Sequence, residues 1–346
     1  MAGVEDVIPD VGSNVELDPN VRKVLPHNST IISSYTYGTA AWTRAARITI
    51  LLEDGSEKSY FLKCASEDQG KAMIEGEFAS ISEIAKYTPS LTPIPHAHGQ
   101  FEDASIPTYF FLMEFLNIET GAPEPATISK QLADLHARSV SPTGKFGYHM
   151  ITCHGPHPQD TRWEESWAVF FARLLRQFHD REVNTNGPSK DGRYETEMDK
   201  LITSAIPEIL GPLQANGRTL KPALVHGDLW EENCGKDLET GQPKIFDAAV
   251  FYGHNEYDLG MWRRELIRFG RPHIRQYLRH MPPSEPKEQW DDRSRLYCIK
   301  FEIAHSIGWP ASCESQREII MREMRHLNNK YIAMEQNRPC LLARQA

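Results

Sequence analysis

The chain has 346 residues, of which 40% are apolar, 25% charged and 10% aromatic, a composition that can bury a sizeable core and excludes disorder of the whole chain. A net charge of -9 and a pI near 5.9 exclude a surface adapted to nucleic acid or anionic lipid, because both reward clustered Lys and Arg. The length suits one two-lobed domain.

In chain order, the opening "MAGVEDVIPDVGSN" is acidic and has neither the basic region nor the apolar stretch of a secretory signal, so a cytoplasmic setting is expected. Residues 1–20 are expected to form a disordered tail. "TRAARITILLEDGSEKSYFLKCA" contains two β-branched and aromatic runs around "EDGS", which predicts a hairpin whose second strand ends near Lys63. "GKAMIEGEFASISEIAKY" carries Phe78, Ile81, Ile84 and Ala85 at helical spacing and stops at Pro89. "TYFFLMEFLNI" reads as a strand, and its apolar core falls far short of the ~20 residues a membrane helix needs. The connector "ETGAPEPA" follows, so a first lobe is placed at 21–116 and a second at 117–336, with a tail at 337–346.

The second lobe reads as mainly helical. "ISKQLADLHARS" shows Ile128, Leu132 and Leu135, and "WEESWAVFFARLLRQFHD" shows Trp167, Phe170, Phe171, Leu174, Leu175 and Phe178 on one face. A polar loop is expected at 184–193. Two short strand-like pieces, "KPALVHGDLWEENCG" and "QPKIFDAAVFYGH", precede two terminal helices. A strand-rich first third joined to a helix-rich remainder is an α+β, bilobal arrangement. The six cysteines (Cys64, Cys153, Cys234, Cys298, Cys313, Cys340) have no CxxC pair or zinc spacing and read as reduced thiols.

The chemistry concentrates in "LVHGDLWEEN". His226, Asp228 and Asn233 fit H-x-D-x-x-x-x-N, and Asp247 follows in "KIFDAAV". Phosphoryl transfer from ATP needs such a set: a carboxylate to take the proton of an attacking hydroxyl, and two oxygen ligands for Mg²⁺. Asp228 is the candidate base, Asn233 and Asp247 are the candidate metal ligands, and His226 braces the loop. The competing reading of this octet is a polar turn with a capping Asp. Lys63 at a strand end and Glu77 on the next predicted helix supply a cation for the nucleotide phosphates and an acid to hold it. Glu77 shares a stripe with Ile81 and Ile84, so it should face inward and find a buried partner.

The pieces "LVHGDLWEEN", "IFDAAVFYGHNEYDLGMW", "KFGYHMITCHGPHPQDTRWEESWAVFFARLL", "MIEGEF" and "YFLKC" occur in an order that resembles the fructosamine or ketosamine 3-kinase family, a group akin to aminoglycoside phosphotransferases and protein kinases. The resemblance covers about residues 35 to 300. It implies a protein-kinase-like fold and ATP-dependent phosphorylation of the sugar 3-hydroxyl in ketoamines formed on lysine, whether small molecules or glycated proteins. A 3-phosphate is a leaving group close to the 2-keto carbonyl, so its loss frees the amine, and the family's reaction amounts to deglycation. Carried over by position, Lys63 and Glu77 become the nucleotide pair, Asp228 the base, and Asn233 and Asp247 the metal ligands. Asp258 resembles an acid that holds the catalytic loop's backbone, and His254 and Glu256 match the family motif beside it and are candidate substrate contacts.

Further expectations are more local. Trp230 is a candidate face for the sugar or the substrate amine, with a core indole as the alternative. Met113, Glu114 and Leu116 would border adenine if "MEFL" is the hinge. Gly38, followed by Thr39, Ala40 and Ala41, is the candidate phosphate loop, although kinases prefer several glycines there. Glu232 stands where the family has Gly and Ala248 where it has Pro, and an extra acid could favour a cationic substrate. Two alternatives stay open: a kinase of aminoglycoside or choline type, and a catalytically weak nucleotide-binding scaffold.

Overall fold

The computed structural model describes residues 12–38 and 42–336. The described chain divides into two compact units. One comprises residues up to Gln131 with Met150–Gln159 and Glu231–Val250; the other comprises Leu132–His149, Asp160–Trp230 and Phe251 onward.

The first unit begins with a short helix, α1 (Pro19–Lys23), and continues through β1 (Thr30–Thr36), β2 (Arg44–Leu51), β3 (Glu57–Ser66), α2 (Glu67–Tyr87), β4 (Pro95–Gln100) and β5 (Thr108–Glu114). The strands form an antiparallel sheet in the order β1-β2-β3-β5-β4. The predicted hairpin is β2 and β3, paired from Arg44↔Cys64 to Leu51↔Glu57 and closed by Asp54, whose carboxylate accepts the Ser56 amide at 2.9 Å.

Strand period explains both faces of this sheet. Ala46, Ile48, Ile50, Tyr60, Leu62, Phe110 and Leu112 form one core with Leu17, Val21 and Leu25. The expected tail at 1–20 is thereby corrected for its described part. Residues 1–11 lie outside the described residues, but Asn14 bridges Tyr35 and Leu17 is buried, because this apolar segment covers a sheet face that would otherwise meet water. On the opposite face, Lys63 and Phe111 lie under α2, with Phe78 meeting the Phe111 ring edge-on at 5.5 Å. A three-stranded sheet of Ile118–Thr120, Cys234–Asp237 and Pro243–Ile245 completes this unit.

Helices dominate the second unit. α3 (Pro125–Arg138) begins in the first unit and ends in the second, followed by α4 (Trp167–Asn186), α5 (Arg193–Lys200), α6 (Ile206–Leu210), α7 (Glu256–Met261), α8 (Arg271–His280), α9 (Trp290–Gly308) and α10 (Cys313–Gln336). Strands Ala223–Val225 and Phe251–Gly253 pair antiparallel. The stripe read on α4 is fully buried, and α9 packs against α4, α7 and α10. The loop expected at 184–193 is only 187–192. α4 overruns it because the Asn186 amide ties the last turn to Glu182 Oε1 at 3.1 Å and to the Ser306 carbonyl at 3.1 Å.

The five described cysteines are free. The expected C-terminal tail, 337–346, lies outside the described residues, and no helix among the described residues is long and apolar enough to cross a membrane.

Candidate active site

The buried stripe of α2 runs Gly70, Ile74, Glu77, Ile81 and Ile84, steps of three and four that put one carboxylate among apolar residues against the sheet. Lys63 meets it there. Its ammonium donates to Glu77 Oε2 at 2.7 Å and to Asp247 Oδ1 at 2.7 Å. Burial works against the charge of Lys63, but the two carboxylates outweigh it and raise its pKa, so the ammonium stays protonated. Burial pushes the Glu77 carboxyl up to about 8, with Lys63 opposing and Asp247 adding to the rise. Glu77 Oε1 is buried and has no hydrogen-bond partner among the described groups.

Asp247 follows the strand Pro243–Ile245 and adopts φ 55°, a left-handed conformation uncommon for a residue with a side chain. The segment after it is braced from three sides. Ser80 Oγ accepts the Val250 amide at 3.4 Å, Thr152 Oγ1 donates to the Val250 carbonyl at 3.0 Å, and the Gln159 amide donates to the Ala249 carbonyl at 3.0 Å. Asn233 is buried, and its carbonyl accepts the Phe246 amide at 3.0 Å, next to the pairing of Cys234 with Ile245. Asn233 and Asp247 thus end two adjacent strands.

The Asp228 loop belongs to the second unit and hangs from one buried acid. Asp258 on α7 accepts the His226 amide at 2.8 Å with Oδ2 and the Gly227 amide at 2.9 Å with Oδ1. His136 Nε2 lies 3.2 Å from Oδ2, and its Nδ1 lies 2.7 Å from the Tyr277 hydroxyl. Burial would raise the Asp258 carboxyl, but His136 and the loop amides hold it below the usual carboxylate range. Gly227 takes φ 84°, which turns the chain so that two consecutive amides reach the same carboxylate. His226 braces the loop, with Nδ1 accepting the Asp228 amide at 3.3 Å, and the Trp262 indole donates to the Leu229 carbonyl at 3.0 Å. Asp228 itself is half-buried.

A strand-borne ammonium tied to a helix carboxylate, together with a loop suspended from a buried aspartate, is the framework of a kinase. The family model described as fructosamine kinase matches residues 33–326. The chain belongs to the fructosamine kinase family. Its enzyme class is that of a kinase. It is 30% identical over 230 residues to a mouse protein named ketosamine-3-kinase, covering 60% of this chain and 70% of that one. It is 28% identical over 242 residues to a rice protein named protein-ribulosamine 3-kinase, chloroplastic, covering 69% of this chain and 65% of that one. A Thermobifida fusca crystal structure provisionally assigned as a fructosamine-3-kinase has the same fold, with a TM-score of 0.67 and 20% identity over 91% of this chain and 100% of that chain.

Within this fructosamine kinase family member, two residues read as substrate contacts need correction. His254 and Glu256 lie inside the core of the second unit. The Tyr297 hydroxyl accepts the Trp167 indole proton at 2.8 Å and lies 2.8 Å from His254 Nδ1, and His254 Nε2 lies 2.9 Å from Ser284 Oγ. Glu256 accepts two bonds from Arg293, at 2.7 and 3.0 Å, and the Ser284 amide at 2.7 Å. Both side chains are saturated by protein partners, so the motif's polarity serves the core.

The remaining candidates of the kinase range from exposed to buried. Glu232 is exposed, and Trp230 is half-buried. Met113 is buried in β5, while Glu114, at its end, accepts the Ile94 amide at 3.1 Å, and Leu116 follows half-buried. Gly38 is exposed with φ 73°, and Thr39, Ala40 and Ala41 lie outside the described residues. Sequence reasoning missed Ser80, Thr152 and Gln159, which brace Asp247's strand, and His136, which supports Asp258. No local pattern marks them, since each matters through a partner more than 80 positions away.

Proposed function

We propose that the chain is an ATP-dependent ketosamine 3-kinase acting on ribulosamine or fructosamine adducts of lysine, free or in glycated proteins. The observation that carries this reading is Lys63, whose ammonium joins Glu77 and Asp247 at 2.7 Å each. In this role Lys63 holds the nucleotide phosphates and Glu77 keeps it aimed. Met113, Glu114 and Leu116 border the adenine, and Gly38 allows backbone approach to phosphate.

Asp247 and Asn233 present a carboxylate and an amide oxygen, the hard donors that suit Mg²⁺, and the half-exposed Asp247 carboxylate is open to an incoming cation. When bound, Mg²⁺ neutralises charge on the phosphates.

Asp228 accepts the proton of the substrate 3-hydroxyl as that oxygen bonds to the γ-phosphorus, while the bond from phosphorus to the bridging β,γ-oxygen breaks and ADP departs. Asp258 and His226 keep the loop in place for this step. Trp230 and Glu232 lie close to Asp228 in the chain and are the side chains offered to the sugar and its amine. Proton loss from C1 of the product gives an enaminol, whose electron pair expels inorganic phosphate from C3. Hydrolysis of the resulting imine then frees the lysine amine.

The test is incubation with Mg-ATP and ribulose-lysine, psicose-lysine or fructose-lysine, reading both ADP release and recovered lysine. Asp228→Asn should lower turnover about 10²–10⁴-fold. Turnover confined to other hydroxylated amines would replace the reading with an aminoglycoside- or choline-type kinase. A melting temperature raised by ATP with no turnover on any acceptor would replace it with a nucleotide-binding scaffold.

A further inference from the structure

Residues 150–159 belong to the first unit, although the chain on either side of them belongs to the second. The strands Cys153–His154 and His157–Pro158 pair as a small hairpin, closed at its base by the Gln159 backbone amide, which donates to the Thr152 carbonyl at 2.9 Å. One side of this hairpin meets α2. Gly76 is buried there, and a Cβ on it would lie 2.9 Å from the Ile151 carbonyl oxygen and 3.2 Å from Thr152 Cα, so only glycine lets the helix come this close. Nearer the start of α2, the Gln69 side-chain amide donates to the Pro156 carbonyl at 2.9 Å. The other side of the hairpin leads to the segment after Asp247. There the buried Thr152 hydroxyl donates to the Val250 carbonyl at 3.0 Å, and the buried Gln159 side-chain amide donates to the Ala249 carbonyl at 3.0 Å and to Thr152 Oγ1 at 3.2 Å. Ser80 on α2 closes the cluster: its hydroxyl donates to the Gly76 carbonyl at 2.6 Å and accepts the Val250 amide at 3.4 Å. Both carboxylates on Lys63 border these contacts, since Glu77 directly follows Gly76 and Asp247 stands shortly before Ala249.

We propose that the 150–159 hairpin is a wedge that positions both carboxylates of the Lys63 cluster at once, with Gly76, Thr152 and Gln159 as its positioning residues. Asp247 needs this support, because a φ of 55° is unfavourable for a residue with a side chain and persists only where the surroundings over-determine it. Hydrogen bonds from the hairpin fix the carbonyls of Ala249 and Val250, and Ser80 fixes the Val250 amide from α2. The backbone after Asp247 therefore cannot relax to an extended conformation without breaking buried hydrogen bonds. Glu77 depends on the same wedge through its neighbour. The notch at Gly76 sets how near α2 stands to the hairpin, and with it how far the Glu77 carboxylate reaches toward Lys63.

This proposal rests on the reading of Asp247 as a metal ligand, so its test has one arm that involves neither metal nor turnover. Amide hydrogen exchange is followed at Val250 in the full chain. Gly76→Ala pushes α2 off the hairpin and Thr152→Val removes the hydroxyl, and each should raise exchange at Val250 about tenfold, while Thr152→Ser keeps the native protection. Native protection in either Gly76→Ala or Thr152→Val overturns the proposal. Should Gly76→Ala not fold, Gln159→Leu takes its place with the same expectation. The second arm follows Mn²⁺, which takes the same oxygen ligands as Mg²⁺, by its electron paramagnetic resonance signal in the presence of ADP. Thr152→Val should weaken Mn²⁺ binding about tenfold, and Thr152→Ser should bind as the native chain does. Gly260→Ala, whose Cβ would crowd Tyr297 in the second unit, controls for general destabilisation and should leave Mn²⁺ affinity unchanged. Native affinity in Thr152→Val, or an equal loss in Thr152→Ser, makes Thr152 a packing residue and overturns its assignment. If Asp247→Asn binds Mn²⁺ as tightly as the native chain, the metal reading of Asp247 falls, and exchange at Val250 alone decides the wedge.

Discussion

The Lys63 ammonium lies 2.7 Å from the Asp247 carboxylate although 184 positions separate them in the chain. The pairing depends on Glu77, which shares the same ammonium from the opposite helix at 2.7 Å. Removing the cation should therefore expose an imbalance.

Lys63→Met should destabilise the fold by about 1–3 kcal/mol at neutral pH, because Glu77, already pushed up to about 8 by burial, then takes a proton and is left a buried carboxyl without its hydrogen-bond partner. Asp247 is 44% exposed and adds little to that figure. Adding Glu77→Gln to Lys63→Met should recover part of the loss at alkaline pH, where a lone Glu77 would have to ionise inside or hold its proton against the solvent. Urea midpoints of the three proteins decide it. A double variant no more stable than the single one would mean that Glu77 is not held by Lys63.

Asp258→Asn should cost about 1–3 kcal/mol and detach the Asp228 loop. The amide that replaces one oxygen is a donor, and it would face the His226 or Gly227 amide, which is also a donor. Hydrogen exchange at these two amides should rise in the variant. Unchanged protection there would show that the loop does not hang from Asp258.

Acid should destabilise the protein through His254. Burial lowers its pKa to about 4, whereas the unfolded chain has the ordinary value near 6.5. Above pH 6.5 both states are neutral and nothing is lost. As pH falls from 6.5 to about 4, the unfolded state takes a proton that the folded state refuses, and stability drops by about 3 kcal/mol. His254→Gln should flatten the dependence of melting temperature on pH across that window. An equally steep curve in the variant would assign the acid sensitivity elsewhere.

Gly260→Ala should destabilise by about 1–3 kcal/mol, against the usual gain from replacing a helical glycine. A Cβ there would lie 2.5 Å from Tyr297 Cβ and 2.8 Å from its backbone carbon, so α7 could not approach α9 as closely. Gly211→Ala, where a Cβ meets nothing within 4 Å, is the control and should be tolerated. Calorimetry on both variants separates a steric cost from a general glycine effect.

The elements legible in the chain are those whose signals are local. The hairpin of β2 and β3 follows from alternation around Asp54 and Gly55, and the inward face of α2 follows from steps of three and four through Glu77. The α4 stripe was equally plain. The reading failed where a residue's meaning lies in a distant partner. His254 and Glu256 were taken for substrate contacts because they are polar within a polar motif, yet Tyr297 and Arg293, supplied by α9 about forty residues later, turn them into core. Residues 12–20 were taken for tail because their apolar positions, Val15 and Leu17, are sparse, and only the sheet face they cover gives them a purpose.

Period and turn chemistry were enough to establish the kind of elements and their order, and spacing was enough to single out Lys63, Glu77, Asp228, Asn233 and Asp247 as candidates, because each signal is carried by neighbours along the chain. Folding alone decided which polar groups are satisfied and which are left over. Desolvation and hydrogen bonding depend on residues brought together from far apart, so the clasp on Lys63, the anchoring of the loop by Asp258 and the close approach of Gly76 to Thr152 exist only in three dimensions.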